Sequence, residues 1–169
     1  PLDWTSLDAY ETTRVRALLA RIYWHWRVIL SNDDDASYNF QRKWMAHVVQ
    51  WRGKTRVMLT LFSDTFQCEK SALFIDLLTH ILGKYHYVPT APIDSENGLL
   101  GRFNLNHKQK ALIVLDENGE KKKDSKKCHG ALRSYLVAPE VDCKKRNQQP
   151  MRMNDYANVV ALTNNALST

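Results

Sequence analysis

Three short, almost unbroken apolar runs limit what this chain can fold into: Val57-Met58-Leu59-Thr60-Leu61-Phe62, Ala111-Leu112-Ile113-Val114-Leu115 and Val159-Val160-Ala161-Leu162. A strand with one wet face alternates, whereas a run apolar at nearly every position belongs to a strand covered on both faces, as in a parallel sheet. Between the first two runs, Leu73, Phe74, Leu77, Leu78 and Ile81 recur at helical spacing. Residues 71–82 are therefore expected to form a helix, which Gly83 ends. A short strand is expected at 85–88, and 89–101 read as irregular. Farther on, 119–130 read as a Lys-rich loop and 132–137 as a helix. The polar, basic stretch 139–153, bracketed by Pro139 and Pro150, reads as a hairpin or loop. Strand, helix, strand, helix, strand predicts an α/β fold with helices on the faces of a parallel sheet.

The first third has a different texture. Residues 7–30 follow a helical period, with an aromatic group at Tyr23-Trp24-His25-Trp26. These aromatics are expected in core or interface packing; if exposed, they mark a partner surface. The acidic break S-N-D-D-D-A-S at 31–37 offers several helix caps. A second helix over 38–50 puts Phe40, Trp44, His47 and Val48 on one face, and Gly53 marks a turn. The expected organisation is an N-terminal helical segment at 1–52 followed by an α/β core at 53–169.

With 169 residues the chain has material for one well-packed domain or a domain plus an appendage. The net charge of +6 favours a polyanionic partner, though only weakly. Cys68, Cys128 and Cys143 are few, odd in number and without a C-x-x-C pair. An intracellular, reducing compartment is expected rather than a disulfide framework or a zinc site. No apolar run reaches the roughly 18–20 residues that span a bilayer, so no membrane partner is expected. The six histidines show no spacing of a metal pair.

The chemistry concentrates where the first buried strand joins its helix, in S-D-T-F-Q-C-E-K-S at 63–71. A phosphate-binding loop reads G-x-x-x-x-G-K-[ST]. Its backbone N–H groups surround the phosphates, its Lys reaches the terminal ones and its hydroxyl holds magnesium. Lys70 and Ser71 match that pattern, whereas Asp64 and Glu69 stand at its two glycine positions. A Lys-Ser pair at a helix start is by itself most often a solvated surface pair. Its context is more specific: it lies between a buried strand and a helix N-terminus, which carries unsatisfied donors and partial positive charge. The second buried run ends in Asp116-Glu117 and the third in Thr163-Asn164-Asn165. Either ending alone is an ordinary turn or cap, but strand ends in this order suit a magnesium-binding Asp, a water-activating Glu and an Asn that touches the γ-phosphate.

Taken together these segments resemble the superfamily 3 helicases, and within them the primase-associated helicase domains of viruses, phages and related mobile elements. The resemblance runs from about Phe40 to Asn165. It includes K-W-M-A-H-V-V-Q-W, the loop ending in K-S, I-L-G-K-Y, G-L-L-G-R-F-N, A-L-I-V-L-D-E-N, L-R-S-Y-L-V-A-P-E-V with K-K-R, and N-V-V-A-L-T-N-N. It implies a three-layer P-loop NTPase core of AAA+ type that uses ATP and Mg2+ and acts in DNA replication. Lys70 and Ser71 would hold the phosphates, and Ser71 and Asp116 the metal. Glu117 would activate water, and Asn164 would be the sensor. The 141–153 hairpin would point into the channel of a hexameric ring, with Lys144, Lys145 and Arg146 on the backbone of single-stranded DNA. For that K-K-R run the plain alternative is a solvated loop. No arginine finger of the family type follows Asn164, so the core is expected to be incomplete at its C-terminus.

Two departures carry physical weight. Glycine permits close backbone approach to phosphate, and Asp64 and Glu69 bring negative side chains instead. An acidic group a few ångströms from a triphosphate costs roughly 1 to 4 kcal/mol, or about ten- to a thousandfold in affinity. Lys70 also has Glu69 and Asp116 as competing partners. An ATP-dependent helicase core therefore stands beside a second class: a helicase-derived scaffold or nucleic-acid-binding or protein-interaction module without turnover.

Overall fold

The computed structural model describes residues 8–51, 53–63, 70, 72–83, 87–88, 98–104, 107, 109–116 and 125–163. Contacts divide the chain into two compact units, Pro1–Arg42 and Lys43–Thr169.

In the first unit, α1 (Ala9–Trp24) starts at a capping box. Asp8 accepts from the Glu11 amide at 2.7 Å, and Glu11 accepts from the Asp8 amide at 3.3 Å. The helix continues as a π-helical segment, His25–Leu30. It then reverses through Asn32 and Asp33, both left-handed, a conformation Asn and Asp tolerate better than most residues. Asp34 caps α2 (Asp35–Gln50) by accepting from the Ser37 amide at 2.6 Å. The Ser37 backbone and hydroxyl hydrogen bonds hold its carboxyl below the ordinary value. Trp26 meets the Tyr38 ring edge-on at 6.4 Å and donates from Nε1 to Gln41 at 2.8 Å. Yet α1 has no buried residue, and Tyr23 and Trp24 are 47% and 59% exposed. Tyr23 and Trp24 thus do not pack into a core within this unit, and exposure is the case in which the sequence reading expects a partner surface.

The second unit contains the later half of α2, which buries Trp44, Met45 and Val48. Trp44 Nε1 donates to the Val57 carbonyl at 3.0 Å. Residues 43–50 of α2 belong to this unit. Next come β1 (Leu59–Phe62), a π-helical segment Ala72–Leu77 running into α3 (Leu78–Leu82), and β2 (Tyr87–Val88). They are followed by β3 (Leu112–Asp116), α4 (Ser125–Val137), β4 (Glu140–Cys143), β5 (Met151–Asn154) and β6 (Asn158–Thr163). The four-stranded sheet is parallel throughout, in the order β1-β6-β3-β2, and β4 and β5 form a separate antiparallel pair. The fold is α/β, as the apolar runs predict. Residues 125–130 are the first turns of α4 rather than loop. Lys126 and Lys127 are good helix formers, and burial of Leu132 and Tyr135 on one face offsets the roughly 1 kcal/mol cost of Gly130.

Alternate positions of β3 and β6 point to opposite faces. Ile113, Leu115, Val159 and Ala161 pack with Leu132 and Tyr135 of α4 and with Leu99. Leu112, Val114, Val160 and Leu162 are buried on the other face, along with Leu59 and Leu61 of β1. Each fully buried Leu, Ile or Val contributes about 1.5–3 kcal/mol. All six residues of β6 are buried, as a central strand with no wet face requires.

Candidate functional site

Three strand ends meet at the C-terminal edge of the sheet. Register sets Leu61, Leu162 and Asp116 side by side, and Phe62 beside Thr163. Because β6 lies between β1 and β3, the backbone of Asp116 stands two strand spacings, ~9.5 Å, from that of Leu61. Lys70 opens the helix after β1 and is only 8% exposed. Its Nζ donates to the Thr163 carbonyl at 2.8 Å, and the Ser63 amide donates to the same oxygen at 3.2 Å. One carbonyl at the end of β6 thus ties down both the exit of β1 and the ammonium that returns to it. A buried ammonium requires polar compensation, and the C-terminal edge of a parallel sheet is where such folds bind ligands. Lys70, Thr163 and the backbone of Asp116 come together here. Ser71, Glu117, Asn164, Asp64, Glu69 and the side chain of Asp116 lie outside the described residues.

The basic run occupies the turn between β4 and β5. Lys144 is half-buried, and Lys145 and Arg146 are exposed. The turn is closed by the Gln148 amide donating to the Lys145 carbonyl at 3.2 Å, with Asn147 left-handed at φ 60°. Arg152 and Glu140 pair at 2.6 Å near the base. Arg102 and Arg146 both approach the Phe103 ring, at 5.5 and 5.3 Å from its centroid.

A second buried lysine stands at the opposite, N-terminal edge, and no sequence motif announced it. Lys54 Nζ contacts Asp155 Oδ2 at 2.7 Å and donates to the Tyr135 carbonyl at 2.6 Å. It also lies 4.2 Å from the centre of the Tyr135 ring. The Lys54 and Asp155 side chains are 7% and 2% exposed. Burial, reinforced by the Asp155 carboxylate, raises the Tyr135 phenol above its ordinary value of 10.0. Beside it Asn158 accepts from the Thr55 amide at 2.7 Å and donates to the Gly53 carbonyl at 3.0 Å. A recess of about 280 Å³ opens here between Gly53, Lys54, Pro139 and Tyr156.

A family model matches residues 61–169, more than half of the chain, and takes in Lys70, both expected acidic positions and the hairpin. The chain belongs to the DUF5906 family, a family of unknown function. No curated protein matches it. Among solved structures it is similar to the apo structure of the NrS-1 C terminal region (305-718). The TM-score is 0.72 at 19% identity, over 85% of this chain and 33% of that one. Two A-form apo structures of the same region give TM-scores of 0.66 and 0.69, at 19% and 18% identity. They cover 86% and 85% of this chain and 32% and 33% of theirs. The likeness is one of fold, and the chain spans about a third of the chains it matches. No helix among the described residues is long and apolar enough to cross a membrane.

Proposed function

We propose that this chain is part of an ATP-dependent motor of the superfamily 3 helicase type, a P-loop NTPase core that acts on single-stranded DNA in replication and assembles as a ring. The observation that carries this reading is the buried Lys70 ammonium at the C-terminal strand edge, bonded to the end of β6, the strand beside β3. The site suits an anion there. Lys70 would exchange the Thr163 carbonyl for phosphate oxygens, a charge-assisted bond stronger than a neutral one. Ser71 and Asp116 would hold Mg2+, Glu117 would orient and polarise a water, and Asn164 would fix that water against the γ-phosphate. Bound Mg-ATP would supply the phosphoryl group that the water attacks. Lys144, Lys145 and Arg146 would grip the DNA backbone without regard to sequence.

The experiment is magnesium-dependent ATP binding and hydrolysis, with and without single-stranded DNA, for the chain and for Lys70→Ala. Turnover that disappears in Lys70→Ala is the expected result. No binding at millimolar ATP in the unaltered chain would overturn the enzyme reading. It would leave the second one, a helicase-derived scaffold, which Asp64 and Glu69 in the loop favour.

A further inference from the structure

Asn104 is a polar residue only 8% exposed that the reading above does not use. Its Nδ2 donates to the Asp142 carbonyl at 3.1 Å, and its Oδ1 accepts from the Lys144 amide at 3.1 Å. These two backbone groups flank Cys143, the last residue of β4. A neighbouring parallel strand would engage the same two groups through the N–H and C=O of a single residue. One side-chain carboxamide therefore takes the place of an extra strand beside β4. A two-stranded hairpin alone is marginally stable, so its tip needs outside support. Phe103, the preceding residue, acts on the same turn, with the Arg146 guanidinium 5.3 Å from its ring centre. Consecutive residues 103 and 104 thus hold the two ends of the Lys144-Lys145-Arg146 run.

We propose that Asn104 is a positioning residue: its carboxamide fixes the direction in which Lys144-Lys145-Arg146 leave β4, and so sets how many phosphates of single-stranded DNA these cations reach. The proposal rests on the reading of the hairpin as a DNA grip. The test is anisotropy of a labelled oligothymidylate with the 169-residue chain over a range of KCl. Three proteins are compared: unaltered, Asn104→Ser, and the triple variant Lys144→Ala/Lys145→Ala/Arg146→Ala. Each phosphate contact on a single strand contributes a slope of about −0.7 in log affinity against log salt. The triple variant is expected to flatten the slope by about two. Asn104→Ser is expected to lose about tenfold in affinity and to flatten the slope by about 0.7, one contact. A lower melting temperature with affinity and slope unchanged, while the triple variant is weakened, would make Asn104 merely structural and overturn the proposal. Binding by the triple variant equal to that of the unaltered chain would instead sink the grip reading, and this proposal with it. Hydrogen exchange on the unaltered chain is independent of how any variant folds: the Lys144 amide is expected to be protected, and exchange at the rate of an open turn overturns the proposal.

Discussion

Lys54 and Lys70 are both shielded from water and stand at opposite edges of one sheet, yet they are held differently. Lys54 meets a carboxylate, a carbonyl and the face of a ring at the edge where the strands enter. Around it Asn158 binds the lead-in to β1, and Asp155 joins the end of the hairpin to the start of β6. Lys70 donates to the carbonyl that ends β6, at the edge where loops leave the sheet. The first arrangement fixes charge against charge inside the fold. In the second, the bond to the Thr163 carbonyl sets charge against a dipole, and the proposed function has phosphate oxygens take its place. The same residue type serves architecture at one edge and, in the proposed function, a ligand at the other, and the surroundings decide which.

The sharpest way to break this contrast is to remove each ammonium while keeping its stem. Lys54→Met leaves Asp155 buried without its partner and is expected to cost about 3–5 kcal/mol in urea unfolding. The double variant Lys54→Met/Asp155→Leu should recover most of it, since an apolar pair replaces the ion pair. Asn158→Ala, at the same edge, leaves the Thr55 amide and the Gly53 carbonyl unmet and should cost about 1–3 kcal/mol by the same assay.

Alkaline pH sharpens the contrast further. Tyr135 must stay protonated in the fold, so its folded-state value lies above its unfolded one near 10. Its contribution is complete below about pH 10 and falls as pH rises beyond it, by up to about 1.4 kcal/mol per unit. Tyr135→Phe should flatten that decline in unfolding curves between about pH 9.5 and 11. An unchanged slope would mean that another group governs it.

Lys70→Met should cost about 1.5–3 kcal/mol of stability, the scale of hydrogen bonding by a charged group, and under the proposed function it also abolishes nucleotide binding. Equal stability losses for Lys54→Met and Lys70→Met would collapse the comparison. Smallest of all, Arg152→Ala at the hairpin base should change stability by about 0–1 kcal/mol, because its partner pair with Glu140 is solvated.

Much of the sheet was legible because it is written locally. The runs at 57–62, 111–115 and 159–162 became β1, β3 and β6, and the helical spacing at Leu73, Phe74 and Leu78 became a buried helix face. The stretch 139–153, read from its prolines and polar content as a hairpin or loop, holds β4 and most of β5. The start of α4 was not, since a Lys-rich stretch ahead of Gly130 looks alike in a loop and on a solvated helix face. Of the candidate site, Lys70 stood out by its position after a strand. Thr163 as its partner did not, because the two are 93 positions apart.

By itself, the sequence determined that buried strands alternate with helices, that cations cluster at 144–146, and that a lysine follows the first strand. Those features depend on burial period and charge along a few neighbouring residues. Tertiary structure alone decided that the last strand, β6, is inserted between β1 and β3, and that Asp155 neutralises Lys54. It also decided that the Asn104 carboxamide stands beside β4. Such pairings join segments far apart in the chain. They form only when packing of the whole core makes burial of those polar groups cheaper together than apart.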